Sequence, residues 1–382
     1  MTLRVLVDAT AVPVARGGVG RYLDDLLPAL GRQDVDLVVV AQAHDVASFV
    51  AAVPAAEVVP APAWATRPPA RLAWEQVGLP LLARRLRVDV LHSPHYTMPL
   101  VVGVPVVVTL HDATFFTDPA VHSPVKARFF RTATRIAARL AAGLVVPSEA
   151  TAREVAREGG VDPARTIVAP HGVDRTVFHP PTPEDLDRVA LTLGLQGRTW
   201  IAFLGTIEPR KNVPALVRGW VRAVQDLPEP PALVLAGGAG WDTAVDPAVA
   251  GVPAGLTVVR PGYLPLGDLP ALLAGADVVA YPSLGEGFGL PVLEAMACGA
   301  AVLTTDRLAL PEVGGDAVVY CGTDEHSIAA GLNGLLSDAP VRRALGAAAQ
   351  ERAASFTWDR AAGQHLAAYR QAATRGPWWR RT

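Results

Sequence analysis

Lysine is all but missing from this chain: of 34 basic residues, 32 are arginine, and only Lys126 and Lys211 are lysine. Against that bias, each surviving lysine is a candidate for a task that suits a compact point charge. Cysteine is equally scarce. Cys298 and Cys321 alone cannot build a disulfide framework or a metal-ligand cluster, which argues against a stapled secreted fold and fits a reducing compartment. Charged residues make up only 18% of the chain, with a formal net charge of −2, so nothing global recruits nucleic acid, and phosphate binding must come from local groups. No uninterrupted apolar run reaches the roughly 18–20 residues of a membrane span. Charges also break the first run, Leu3-Arg4-Val5-Leu6-Val7-Asp8, which predicts a β-strand and not a signal peptide. A cytoplasmic protein is expected, with the inner face of a membrane as the other setting.

Hydrophobic residues, at 51%, are what the chain has in abundance, and 382 residues suffice for two cores of roughly 150–200 each. Short β-branched runs alternate with longer Ala/Leu/Arg stretches of helical period. Strands are predicted at 4–8, 37–41, 88–92, 104–110, 143–147 and 166–169, with helices at 20–30, 124–141 and 149–158. The runs are continuously apolar, as parallel strands covered on both faces are. Around Phe178-His179-Pro180-Pro181-Thr182-Pro183 the chain turns Pro-rich and polar and is read as a linker. The pattern then restarts, with strands predicted at 200–204, 232–236, 257–260, 278–281, 301–304 and 317–320 and helices near 213–225, 266–273, 291–297 and 327–335. The fold class is therefore α/β, with two Rossmann-like, doubly wound parallel-sheet domains, 1–178 and 179–357. Ligands of such sheets sit at the carboxyl ends of the strands; two facing edges would share a central cleft. The segment 358–382, helical to about 374, is expected to pack back on the first domain.

The strongest chemical signal is Ser283-Leu284-Gly285-Glu286-Gly287-Phe288-Gly289-Leu290-Pro291-Val292-Leu293-Glu294. Three glycines let the backbone approach a ligand closely, and Pro291 suits the start of a helix. Glu286 falls in the loop and Glu294 one turn inside that helix, near N–H groups that attract phosphate. Carboxylates are poor partners for phosphate but good acceptors for sugar hydroxyls. A glycine turn carrying two helix-stabilising glutamates is the plain alternative, and it leaves the three glycines around Glu286 unexplained.

In Gly205-Thr206-Ile207-Glu208-Pro209-Arg210-Lys211-Asn212, two adjacent cations at a strand end form a phosphate cradle, Arg as a fork and Lys as a point charge. An isolated Arg-Lys pair would instead be a solvated loop. Arg16-Gly17-Gly18-Val19-Gly20-Arg21-Tyr22 follows the first strand and is either a ligand loop or a turn. It is not Gly-x-Gly-x-x-Gly, and no ribose-binding acid follows at the expected distance, which weakens a nicotinamide reading. His111, in Thr109-Leu110-His111-Asp112, sits at a strand end where ligands lie. His92 and His95 are further candidates for the acceptor side, and the turn Pro170–Asp174 is read as structural. Lys126, Arg128, Arg131, Arg135 and Arg139 recur at helical spacing beside Phe129, Phe130 and Ile136, which suits a solvated face or an anionic membrane surface. The terminal Trp378-Trp379-Arg380-Arg381 suits an interfacial anchor or a loose end.

These segments together resemble glycosyltransferase family 4, and the resemblance covers nearly the whole chain. Glu286 and Glu294 match the family's Glu-x7-Glu motif. The resemblance implies a GT-B fold, a nucleotide-sugar donor and transfer with retention at the anomeric carbon, by same-face attack as the diphosphate departs. It sets Glu286 against the donor sugar, Glu294 against the nucleotide ribose, and the backbone of Gly287, Phe288, Gly289 and Leu290 around sugar and diphosphate. It sets Arg210 and Lys211 on the diphosphate, Gly18 and Val19 against donor phosphate and acceptor, and His111 next to the reacting sugar. The catalytic set implied is His111, Glu286, Arg210 and Lys211. Thr206 departs from relatives that carry an extra Arg there, a charge that Arg210 would supply. Likeness to bacterial mannosyltransferases points to GDP-mannose, with other GDP- or UDP-sugars close behind, and to a glycan or lipid-linked acceptor. Fixed cations stand in for a metal, so no metal or other cofactor is implied. The alternatives are a sugar-nucleotide epimerase of the same fold, a noncatalytic nucleotide-sugar-binding protein and a nicotinamide-binding module.

Overall fold

The computed structural model describes residues 2–12 and 16–380, so Arg381 of the terminal Trp-Trp-Arg-Arg lies outside the described residues. The chain forms two compact units. One takes the residues up to Gly172 and those from Thr357 on; the other is Val173–Phe356.

The first unit holds β1 (Leu3–Asp8), β2 (Val35–Ala41), β3 (Glu57–Pro60), β4 (Val90–Ser93), β5 (Val106–Thr109), β6 (Gly143–Val146) and β7 (Thr166–Val168). They make one parallel sheet in the order β3-β2-β1-β4-β5-β6-β7. The second unit holds β8 (Trp200–Leu204), β9 (Ala232–Ala236), β10 (Val258–Gly262), β11 (Val278–Tyr281), β12 (Val302–Thr305) and β13 (Val319–Cys321). These strands are parallel too, in the order β10-β9-β8-β11-β12-β13. Inner strands such as β8 and β9 are buried at every position, as their continuous apolar runs require. In each sheet the strand order reverses beside the first strand, between β1 and β4 and between β8 and β11. Each is therefore a doubly wound Rossmann-like sheet whose ligand position is that switch point.

Two differences from the sequence expectation have clear causes. The edge strand β3 is short and carries no long apolar run: Glu57 and Pro60 are exposed, Val58 and Val59 are half-buried, and it ends in Pro60, which an edge position tolerates. The units change at Gly172/Val173, upstream of the expected 178/179, because Val173 and Phe178 are buried in the second unit's core. The Pro-rich stretch lies within the second unit and leads into the helix Pro183–Leu193, which Thr182 Oγ1 caps by accepting from Asp185 N. Gly172 meets the returning chain, where a Cβ would lie 2.2 Å from Trp358 N.

The last helix, Trp358–Arg375, packs on the helix Gly18–Gly31 and on β6 and β7 within the first unit. The tail beyond it is pinned and not loose: Trp378 Nε1 donates to Leu100 O (2.9 Å) and Trp379 Nε1 to Val102 O (3.2 Å).

Candidate functional site

In the second unit the carboxyl ends of β8 and β11 come together because the two strands pair directly. The chain leaves β8 through Gly205–Glu208 into a single 3-10 turn, Pro209–Lys211. It leaves β11 through the Gly-rich loop. Leu284 N donates to Arg210 O (2.8 Å) and ties the loops to each other, with Ser283 Oγ 3.0 Å from the same oxygen. Asn212, in the left-handed region at φ 58°, ends the turn, and its side-chain amide donates to Pro282 O (3.2 Å) and Thr323 O (2.8 Å).

At this junction Lys211 Nζ donates to Glu286 Oε1 at 2.7 Å, and Arg210 pairs with the other oxygen of the same carboxylate. Ser283 Oγ (2.7 Å) and Tyr281 OH (3.0 Å) also donate to Oε1. The Tyr281 hydroxyl touches Lys211 Nζ, which lies 4.8 Å from the centre of the Tyr281 ring. Arg210 reaches Glu208 as well, at 3.3 Å. Burial alone would push Glu286 up, but Arg210 and Lys211 outweigh it and hold the carboxyl at about 2. Burial, then Arg210, draws Lys211 below the usual lysine range, while Glu286 pulls it back. The result is a half-buried guanidinium fork and a buried ammonium fixed side by side, a pairing suited to phosphate oxygens.

The loop feeds the helix Leu290–Ala297. Its N-cap is Gly289 at φ 109°, and no side chain caps the first turn. A Cβ at Gly289 would be strained by that backbone and would sit 2.8 Å from Leu310 Cδ2. A helix N-terminus without a side-chain cap, next to two cations, favours an anion. Phe288 turns its ring into the core, edge-on to Phe356 at 5.9 Å, so the loop offers its backbone and not that side chain. Leu290 packs partly against the same core. Glu294 is buried in the helix.

In the first unit His111 follows β5. Its Nε2 donates to Pro94 O at 2.7 Å, which fixes the proton on Nε2 and leaves Nδ1 as the lone-pair nitrogen. Burial lowers its pKa, against the opposing pull of the Pro94 bond, so the ring presents an acceptor atom and not a proton. Gly18 and Val19 do not form a loop. They are the first turn of the helix Gly18–Gly31, in which Arg21 N bonds back to Gly17 O (3.0 Å). A Cβ at Gly17 or Gly18 would meet no atom within 4 Å, so internal packing demands neither glycine. One turn on, Tyr22 sets its ring edge-to-face with His111, 4.9 Å between centres. His92 is fully buried with both ring nitrogens bonded, which removes it from the acceptor side. His95 lies 6.1 Å from His111, ring to ring.

The sequence reading missed Tyr281 and Ser283 as partners of Glu286; both lie in quoted segments, but nothing local says their hydroxyls turn back. It also missed Tyr22, Thr109, His365 and Tyr369. The signal for the last two was the pairing of His and Tyr one turn apart on a helix expected to be buried.

Two doubly wound units, each with polar groups collected at its switch edge, define a GT-B glycosyltransferase fold. Residues 16–177 match the family model Glycosyltransferase Family 4 and residues 193–352 match Glycosyl transferases group 1; the chain belongs to glycosyltransferase family 4. The O-antigen chain mannosyltransferase B of Escherichia coli is 32% identical over 286 residues, 73% of each chain. A D-inositol 3-phosphate glycosyltransferase of Mycobacterium avium (strain 104) is 36% identical over 239 residues, 60% of this chain. The aligned part is 54% of that protein, so the chain spans about half the length of such relatives. Among solved structures, Anabaena HepE in complex with UDP and glucose gives a TM-score of 0.76 at 20% identity, over 96% of this chain and 98% of that one, a likeness of fold.

Proposed function

We propose that this glycosyltransferase moves a hexose, mannose before any other, from a nucleotide-diphosphate sugar to a hydroxyl of a glycan or lipid-linked acceptor, with retention. The observation that carries the reading is the Arg210–Lys211–Glu286 cluster, fixed at the switch point of the second unit beside an N-terminus that no side chain caps. Arg210 and Lys211 would take the departing diphosphate and Glu286 a donor-sugar hydroxyl, while Glu294 would hold the ribose. Gly287, Phe288, Gly289 and Leu290 would contribute backbone groups, and Gly18 and Val19 would face phosphate or acceptor. His111, with its lone pair at Nδ1, would accept a hydrogen bond from a hydroxyl of the reacting sugar. Charge developing on the leaving group is met by groups already in place, so the barrier falls without a metal ion.

Mannose is supported by the name of the Escherichia coli relative alone; the Anabaena structure holds UDP and glucose. Two unpaired buried thiols, Cys298 and Cys321, support the reducing cytoplasm. No helix among the described residues is long and apolar enough to cross a membrane. The test is a panel of GDP- and UDP-sugars with and without glycan acceptors, following free nucleoside diphosphate and the anomeric configuration of the product. Acceptor-dependent release with retained configuration is expected. Conversion of the donor without acceptor would indicate an epimerase, and the absence of any thermal shift or turnover across the panel would remove the donor-binding reading.

A further inference from the structure

Behind His111 runs a buried chain of hydrogen bonds that joins four elements of the first unit: β4, β5, the helix Gly18–Gly31 and the terminal helix. Tyr369 OH lies 2.9 Å from His92 Nδ1, His92 Nε2 lies 2.8 Å from Thr109 Oγ1, and Thr109 Oγ1 lies 3.1 Å from Tyr22 OH. Tyr22 OH lies 2.7 Å from His365 Nε2, and His365 Nδ1 lies 2.7 Å from Ala361 O. Tyr22, His92, Thr109, His365 and Tyr369 are all essentially inaccessible to solvent.

The last carbonyl fixes every proton in the chain. A backbone oxygen only accepts, so His365 carries its hydrogen on Nδ1, and its Nε2 must accept from Tyr22 OH. The Tyr22 oxygen then accepts from Thr109, whose oxygen accepts from His92 Nε2–H. That leaves His92 Nδ1 to accept from Tyr369. Both imidazoles are neutral, with opposite tautomers, and no donor or acceptor along the line is duplicated. A fully satisfied buried network of this kind selects one arrangement of its side chains, which apolar residues of similar volume would not do.

We propose that His365 and Tyr369 of the terminal helix, acting through Tyr22 and Thr109, are positioning residues that hold the His111 ring in one orientation. The functional meaning of this arrangement rests on the role given to His111 above. Thr109 lies two positions before His111 on the same chain, and Tyr22 meets the His111 ring edge-to-face at 83° between planes. His171 completes the support: its ring lies 6.2 Å from that of His111 and stacks on Trp358 of the same terminal helix at 5.5 Å. The terminal helix thus backs His111 with three side chains, though it is the part of the first unit most distant from β5 in sequence.

The test is long-range nitrogen–proton spectroscopy of the full chain labelled with nitrogen-15, which separates the two imidazole tautomers. In the unmodified protein, His365 should appear as the Nδ1–H form and His92 and His111 as the Nε2–H form. Tyr22→Phe keeps the ring but removes the hydroxyl at the centre of the chain, and His365→Leu removes one end. Either should shift both His111 nitrogens and weaken the Nε2–H bond to Pro94 O, as the ring leaves its single orientation. His365→Gln, whose amide oxygen can accept from Tyr22, should restore them. Unchanged His111 shifts in both Tyr22→Phe and His365→Leu, or His365 found as the Nε2–H form, would overturn the proposal. Transfer from GDP-mannose by His111→Ala tests the function separately: full activity there would remove the role of His111 while leaving the orientation result standing.

Discussion

Lys211 Nζ and Glu286 Oε1 stand 2.7 Å apart although 75 positions separate them in the chain, and each is what makes the other tolerable in a buried site. The carboxylate offsets two cations; the ammonium and guanidinium keep the carboxylate ionised. Lys211→Ala leaves Glu286 still paired with Arg210 and bonded to Ser283 and Tyr281, so the second unit should keep its fold. Turnover at saturating donor should nevertheless drop by about a hundredfold or more, the usual cost of losing one preorganised donor to a developing anion. Chelation with EDTA should leave the unmodified enzyme at full rate. Steady-state kinetics of both preparations check this, and unaltered turnover in Lys211→Ala would remove the diphosphate role.

Glu286 is expected to act on the sugar and not on the nucleotide. In Glu286→Ala, Arg210 and Lys211 remain to bind diphosphate, freed of their carboxylate partner. Affinity for the free nucleoside diphosphate should therefore stay level or rise, while transfer falls by about a hundredfold. Calorimetric titration with the diphosphate, alongside turnover, separates the two effects. Equal losses in both would mean that Glu286 serves to organise the cations and nothing more.

Much of this was legible before any coordinates. Continuous apolar runs such as those of β8 and β11 admit few readings other than parallel strands with both faces covered, and glycines around Glu286 admit few other than close backbone approach. What stayed hidden was whatever depends on distant pairing. Strand β3 has no periodic signature, being an edge. The start of the second unit was misplaced because composition shows the prolines at 180–183 but not that Phe178 is already in a core. The hydroxyls of Tyr281 and Ser283 looked like strand and loop residues until the pairing of β8 with β11 put Lys211 beside them.

Histidine burial should make the protein acid-labile well above the carboxylate range. Burial holds His365 at about 4 and His95 at about 3, against an ordinary value near 6.5. Below pH 6.5 the unfolded chain takes up protons that the folded chain refuses, so stability falls as pH drops from 6.5 toward 4 and is level above about 7. His365 alone accounts for about 3 kcal/mol over that window. Glu286 acts in a lower one, since its stabilisation is present above its unfolded value near 4.5 and is lost toward about 2. Thermal melts from pH 7.5 to 4.5 should show a steady fall in Tm, and His365→Leu should flatten part of that slope. A Tm independent of pH across this range would contradict the buried neutral imidazoles.

A lipid-linked acceptor would bring the enzyme to a membrane, and the contact is expected at a different face from the basic helix picked out by sequence. In the helix Pro124–Leu140, Phe130 stacks inward on Phe115 at 4.5 Å, and Arg131 Nε donates to Phe115 O at 2.6 Å, so part of that pattern serves the fold. A groove lined by Pro80, Leu81, Arg84, Arg87, Val101, Val104 and Trp379 combines apolar and cationic side chains, the chemistry an anionic bilayer would meet. Leu81 is 64% and Val101 71% exposed, and the Trp379 N–H is already satisfied by Val102 O, so its ring can enter an apolar layer without stranding a donor. The protein should therefore sediment with vesicles containing anionic lipid, less so as salt screens the arginines. Leu81→Asp with Val101→Asp should release it while leaving transfer to a soluble acceptor unchanged. Retention of the double variant on the vesicles, with loss instead in a Lys126→Glu, Arg128→Glu variant, would return the contact to the basic helix.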